Sequence, residues 1–116
     1  MRTALAFVML VACARSEPSE RELLSGAQDA TRTFFALGEG GDCKQLAPML
    51  QRPATCDDLV RQFRDTHAHL SQVLGAKIDG RDKHMVLVSV DATAPEHVHH
   101  WIVRAKWTSS GWKLAL

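Results

Sequence analysis

The stretch His97-Val98-His99-His100-Trp101 gathers more side chains capable of chemistry than any other part of the sequence. Alternate residues of a strand share a face, so His97 and His99 are expected to point the same way, about 6.5–7 Å apart. His100 then turns to the opposite face. Two imidazoles so placed can bind a metal or exchange protons. A zinc site, however, needs at least three protein ligands with partners that orient them. The only further candidate is His67, predicted on a helical stripe between Phe63 and Leu70. Two ligands and one distant helper do not make a metal centre, so no metal and no cofactor is expected. The histidines read first as polar residues at a pocket mouth or strand end; the functional alternative is an apolar pocket lined by His67, His97, His99 and Trp101, with Trp101 near its floor and His99 at its rim. Trp101, Trp107 and Trp112 fall on one sheet face and read first as core. His69 and His84 are expected at the surface.

Charge narrows the function classes. The chain has 116 residues, enough for one domain, with 14 basic and 13 acidic residues and a net charge of +1. No basic block stands out, so nucleic acid is not an expected partner. The chain has no Tyr. It has no Asn either.

The elements that must position these residues come in two groups. Ser19-Glu20-Arg21-Glu22 is a capping box. Leu23, Ala27, Ala30, Phe34 and Leu37 follow as one apolar stripe on a helix that ends at Gly38-Glu39-Gly40-Gly41. Asp42 caps a second, short helix from Cys43 to Leu50, interrupted near Pro48. Thr55 to Asp58 opens a third, with Leu59, Phe63, Leu70 and Leu74 on one face and Gly75 as its stop. The period then becomes two. Strands are predicted at 76–79, through Val86, Val88, Val90 and Ala92, at 97–107 and at 112–116. The expected fold class is α+β: three N-terminal helices packed on a curved antiparallel β-sheet.

Counting outward from two four-residue turns sets a register. Ala92 is expected opposite His97, Val90 opposite His99, Val88 opposite Trp101, and Val86 opposite Val103. Trp107 faces Trp112, Ala105 faces Leu114, and Val103 faces Leu116. This set forms one apolar face for the helices to cover. On the other face Leu87 is expected opposite Ile102, with Met85 and Val98 nearby. These four form a candidate interface with a second copy or a protein partner, against a plainly solvated face.

The N-terminal stretch supplies an address. Thr3 to Ala12 is nearly all apolar, too short for a membrane-spanning helix of about 20 residues but long enough for the core of a secretory signal. Leu10-Val11-Ala12-Cys13 resembles the lipobox of bacterial lipoproteins. That resemblance implies a signal peptide over 1–12, cleavage before Cys13, acylation of Cys13, and a tether over 13–18 ahead of a domain at 19–116. It further implies membrane attachment through that lipid, in the cell envelope. Ala14 after the Cys points to the outer membrane, facing the periplasm. With Cys13 lipidated, Cys43 and Cys56 remain as a pair in an oxidising compartment, either as a disulfide worth about 3 kcal/mol or as two buried thiols.

Three helices followed by a sheet ending in "VRAKWTSSGWKLAL" resemble the cone-shaped fold of the nuclear transport factor 2 superfamily, as does the Gly41-Asp42 turn after the first helix. Small lipoproteins in that superfamily often carry a Cys pair in the second and third helices. The superfamily includes enzymes, binding domains and assembly factors. Its ketosteroid isomerase branch implies a pocket Asp and a Tyr, and its limonene epoxide hydrolase branch implies an Asp-Arg-Asp set with Tyr and Asn. This chain lacks the helper residues of both, and Asp91 falls on the outer face. The expectation is a non-enzymatic domain that binds a small apolar ligand or a protein partner. The runner-up is a pocket enzyme using His67, His97 or His99.

Overall fold

A computed structural model describes residues 17–95 and 97–116. The stretch 1–12 expected to be a signal peptide, and Cys13 expected to carry lipid, lie outside the described residues. The described chain is α+β, with helices first and a four-stranded antiparallel sheet after them in the order β1-β2-β3-β4.

Helix α1 spans Glu20–Gly40. Its start is the capping box: the Ser19 N–H donates to Glu22 Oε1 at 2.9 Å, and the Glu22 N–H donates back to Ser19 Oγ at 3.2 Å. It ends where Gly41 turns left-handed (φ 72°), a conformation that costs glycine nothing. Leu23, Ala27, Ala30 and Phe34 are buried as the stripe requires, while Leu37 is half-buried. Thr31, Phe35 and Gly38 are buried beside them, which widens the stripe to two rows. Thr31 satisfies its hydroxyl by donating to the Ala27 carbonyl at 2.7 Å.

The short helix α2 (Cys43–Leu46) is capped by Asp42, and Pro48 falls in a following 3₁₀ turn (Ala47–Met49). A second 3₁₀ turn (Pro53–Thr55) leads into α3 (Cys56–Thr66). A disulfide joins Cys43 to Cys56 with the Cα atoms 5.9 Å apart, tying the first residue of α2 to the first of α3. No helix among the described residues is long and apolar enough to cross a membrane.

Two sequence expectations need correction here. Helix α3 does not continue to Leu74. It stops at Thr66, His67 takes the left-handed conformation (φ 51°), and β1 runs from His69 to Asp79. The reason lies in β1 itself. Its inward residues Leu70, Val73, Ala76 and Ile78 face Ala92, Val90, Val88 and Val86, but irregularities between Leu70 and Gln72 and between Val73 and Gly75 each insert an extra residue. A bulge turns a step of two into a step of three, so a bulged strand imitates helical spacing.

The second correction concerns register. Strands β2 (Asp82–Ala94) and β3 (His97–Thr108) pair Ala94 with His97, Ala92 with His99, Val90 with Trp101, Val88 with Val103 and Val86 with Ala105. The connection is two residues long, not four, and the whole pairing moves by two. A shift of two keeps each side chain on its own face. The β3–β4 register is as expected at Trp107–Trp112 and Ala105–Leu114, with β4 spanning Gly111–Ala115. Leu116 lies past β4, so Val103 does not pair with it. The core is the space between α1, α3 and the inward face: Phe34, Phe35, Leu46, Val86, Val88, Val90, Val103 and Ala105 are wholly enclosed.

Candidate functional site

Strand β3 is longer than its partner on one side. Strand β4 pairs only with Arg104–Thr108. Among the described residues, nothing pairs with His97–Val103 on that edge. In the gap stands a groove of about 510 Å³ between α3 and the β3 edge. Leu59, Gln62, Phe63 and Thr66 of α3 form one wall, and His100, Trp101, Ile102 and Leu116 form the other. The α3 residues fall at spacings of three, four and seven, one helical face.

The floor is aromatic. Trp101 lies nearly parallel to Phe35, with ring centroids 5.9 Å apart and 19° between planes, and is tilted against Phe63 at 6.4 Å. Phe35 and Phe63 meet edge to face at 5.5 Å. These are the geometries that ring quadrupoles favour. Gly38 makes the arrangement possible, because a Cβ there would overlap the Phe63 ring.

The expected site residues are brought together only in part. His99 stacks on Trp101 at 6.3 Å, and His97 meets His99 edge to face at 5.8 Å, so these three form a row along the inward face of β3. Both imidazoles are exposed, beyond the helical layer. His67 is not on a helical stripe. It caps α3 in an exposed turn and lines a separate depression with Gly41, Val60 and Arg64. Among the described residues, no three His, Cys, Asp or Glu side chains are placed to share a metal ion.

The remaining histidines each meet a carboxylate. His69 Nδ1 lies 2.6 Å from Glu39 Oε1, and the other oxygen of Glu39 accepts the Leu70 N–H at 3.1 Å. This clamps the end of α1 to the start of β1. His100, on the face opposite His97 and His99 as expected, pairs with Asp91 directly across the outer face. His84, expected at the surface, is half-buried on the inward face against Trp107 at 5.4 Å. Its Nε2 is enclosed and finds no aligned hydrogen-bond partner among the described residues. The Glu17 carboxylate at 3.4 Å is within ion-pair range only.

The outer face differs from expectation through the same two-residue shift. Leu87 faces Arg104 and Lys77, Ile102 faces Ser89, Met85 faces Lys106, and Val98 faces Thr93. Met85 and Leu87 therefore lie opposite cations, and Val98 and Ile102 opposite hydroxyl side chains. Val98 and Ile102 are strongly exposed, at 57% and 55%, while Met85 and Leu87 are half-buried.

Sequence reasoning missed Gln62, Thr66, Phe35 and Leu116 as parts of the site. The helical spacing from Leu59 to Thr66 was the available signal, and it was obscured by extending the stripe to Leu70. Comparison with protein-family models, with curated proteins and with solved structures finds no match for this chain.

Proposed function

We propose that this chain is a non-enzymatic binding domain, held at the envelope membrane by lipid on Cys13, that takes a small flat apolar ligand in the groove between α3 and β3. The observation that carries the reading is the half-buried Trp101, backed by Phe35 and Phe63 and open on the groove side. The groove's volume lies within the range of about 300–1,000 Å³ typical of small-molecule sites, and its apolar floor with few polar groups suits binding by burial. Gln62, Thr66 and His100 at the rim supply the polar contacts that would orient the ligand.

The address rests on Leu10-Val11-Ala12-Cys13, and the Cys43–Cys56 disulfide supports it, since such bonds persist in oxidising compartments. The helices-then-sheet order and the closing Trp107–Trp112 hairpin support a nuclear transport factor 2-like cone. The enzymatic alternative gains no observation, because His67 stands apart from His97 and His99.

The test is titration with the apolar fluorophore N-phenylnaphthylamine. Wild type is expected to saturate with energy transfer from tryptophan. Gln62→Trp fills the groove from an exposed position on α3 and should weaken binding about tenfold or more. Trp101→Leu should reduce the transfer sharply, leaving only the part contributed by Trp107 and Trp112. Undiminished binding by Gln62→Trp refutes the groove as the site. In the same cells, Cys13→Ser should move the chain from the membrane to the soluble fraction, and retention in the membrane refutes the anchor.

A further inference from the structure

The two edges of the sheet are built differently. On β1 the ladder is broken by irregularities at Leu70/Gln72 and Val73/Gly75, and Lys77 is exposed. Bulges and lysines are the devices that keep an edge strand from pairing with another chain. The opposite edge, β3 from His97 to Val103, has neither. Its register with β2 is unbroken from His97 to Lys106. The seven residues HVHHWIV contain no Lys, Arg, Asp, Glu, Pro or Gly. They combine β-branched and aromatic types with no net charge when the imidazoles are neutral, a composition that pairs readily.

The free hydrogen-bonding groups of this edge can be assigned. In a two-residue hairpin the residues flanking the turn exchange both bonds, and bonded and non-bonded pairs then alternate. Ala94–His97 starts the series with β2, so His97, His99, Trp101 and Val103 bond to β2. Thr108–Gly111 starts the series with β4, so Thr108, Lys106 and Arg104 bond to β4. Both series leave Val98, His100 and Ile102 with N–H and C=O directed at the open edge. At the lower corner, the Gln51 carboxamide donates to the carbonyls of Arg104 and Lys113 at 3.3 and 3.4 Å and closes the ladder there.

We propose that the His97–Val103 edge pairs antiparallel with the same edge of a second copy of this chain, about a twofold axis through His100, joining the two sheets into one. An isologous contact needs a self-complementary patch. This edge is self-complementary in the register centred on His100. Val98 meets Ile102 of the second copy, and each of Val98, His100 and Ile102 exchanges both backbone bonds with its opposite number. Registers centred on His99 or Trp101 satisfy fewer of these groups. The two most exposed large apolar residues of the described chain, Val98 and Ile102, cover each other on the outer face. On the inward face Trp101 comes opposite a His99, extending the aromatic row. The two His100 rings meet at the axis, each already turned to its own Asp91, so each imidazole has a carboxylate beside it. The inference goes beyond the ligand reading and stands on a different observation, the backbone edge.

Sedimentation equilibrium of the purified full chain should show a reversible monomer–dimer equilibrium. Val98→Pro removes an N–H that faces the open edge and none that bonds to β2. It should weaken association about tenfold or more while leaving the circular dichroism of the fold unchanged. Ile102→Lys, which places a charge on the edge without touching the backbone, should do the same. Leu87→Glu, on the outer face away from the edge, should associate like wild type. In intact cells His100→Cys should crosslink to itself on mild oxidation, since opposed bonded residues lie about 5.5 Å apart, within disulfide reach. Lys77→Cys on the other edge should not. A wild type that stays monomeric up to about 1 mM overturns the proposal. So does unchanged association of Val98→Pro and Ile102→Lys, or loss of association in Leu87→Glu alone, which would point to stacking of the outer faces. Probe binding by a monomeric Val98→Pro, a residue outside the groove lining, separates a failure of the pairing from a failure of the groove.

Discussion

Adding one methyl group to helix α1 at Gly38 should destabilise the protein, although the same change elsewhere on that helix should stabilise it. Glycine in a helix interior costs about 1 kcal/mol relative to alanine. At Gly40 nothing lies within 4 Å of an added Cβ, so Gly40→Ala should gain roughly 0.4–1 kcal/mol. At Gly26 the new Cβ would sit 3.1 Å from Trp112 Cζ2, a tight contact that should cancel most of the gain. At Gly38 the Cβ would overlap two carbons of the Phe63 ring, which Phe35 and Trp101 hold on its other sides. Overpacking an enclosed site costs about 1–3 kcal/mol, and a ring held on three sides belongs at the upper end. The net loss for Gly38→Ala is therefore about 1–2 kcal/mol. With a urea m-value of about 1–3 kcal/mol per molar, the midpoint should fall by roughly 0.5–1.5 M with the slope unchanged. Tryptophan fluorescence during urea unfolding reads this directly. Combining Gly38→Ala with Phe63→Leu should recover part of the loss, a coupling that two independent sites would not show. If Gly38→Ala proves as stable as Gly40→Ala, Phe63 does not press on α1 and the described floor of the groove is wrong.

Replacing both Cys43 and Cys56 with Ala should cost about 3 kcal/mol, seen as a fall in the thermal midpoint of roughly 10–20 °C, and an unchanged midpoint would mean that the crosslink constrains nothing. Two carboxyl groups are held below their ordinary values. The Ser19 backbone N–H, then its hydroxyl, holds Glu22 below its ordinary value of 4.5, and the His84 backbone N–H, then Lys106, holds Asp82 below 3.8. A lowered native value means that stability is fully present above the ordinary value and is lost as pH falls through the native one. Unfolding midpoints should thus be level above about pH 5 and decline below about pH 4, less steeply in Asp82→Asn. Parallel declines for wild type and Asp82→Asn would remove Asp82 from the account.

How much could be read beforehand depended on how local the signal was. The capping box at Ser19 needs four consecutive residues, and it formed as written. The Trp107–Trp112 register was counted from a four-residue turn; the turn tightens to Ser109-Ser110 about the same centre, so the register held. Strand β1 was hidden because Leu70 and Leu74 continue the helical spacing of Leu59 and Phe63, whereas Leu74 is exposed and only pairing with β2 discloses the bulges that make Leu70, Val73 and Ala76 the inward set. The β2–β3 register failed by two residues for a related reason. Alternation fixes which face a residue takes, but every even shift satisfies it equally, and the centre of the turn, which decides the register, was placed one residue too early. The site suffered from both errors. With α3 drawn too long, His67 was set on the same stripe as Phe63. With the register displaced, Leu87 was set against Ile102.

The groove and the open edge have one structural origin. Strand β3 continues for seven residues past the end of its pairing with β4, and a sheet usually fills such a gap with another strand or a helix. Here the inward face of that extension is held by rings. Phe35 and Phe63 pack against Trp101, and His99 and His97 continue the row outward without a helix beneath them. Ring packing holds side chains but satisfies no backbone hydrogen bonds, so the edge groups of Val98, His100 and Ile102 remain to be met by water or by another chain. A ligand in the groove and a strand on the edge would therefore approach the same aromatic floor from two sides. Phe63 is the part they share: it rests on Gly38, flanks Trp101 and lines the groove. A change at Gly38 that moves this ring should alter stability and probe binding together, whereas a change at Val98 should alter association and leave stability nearly as it was.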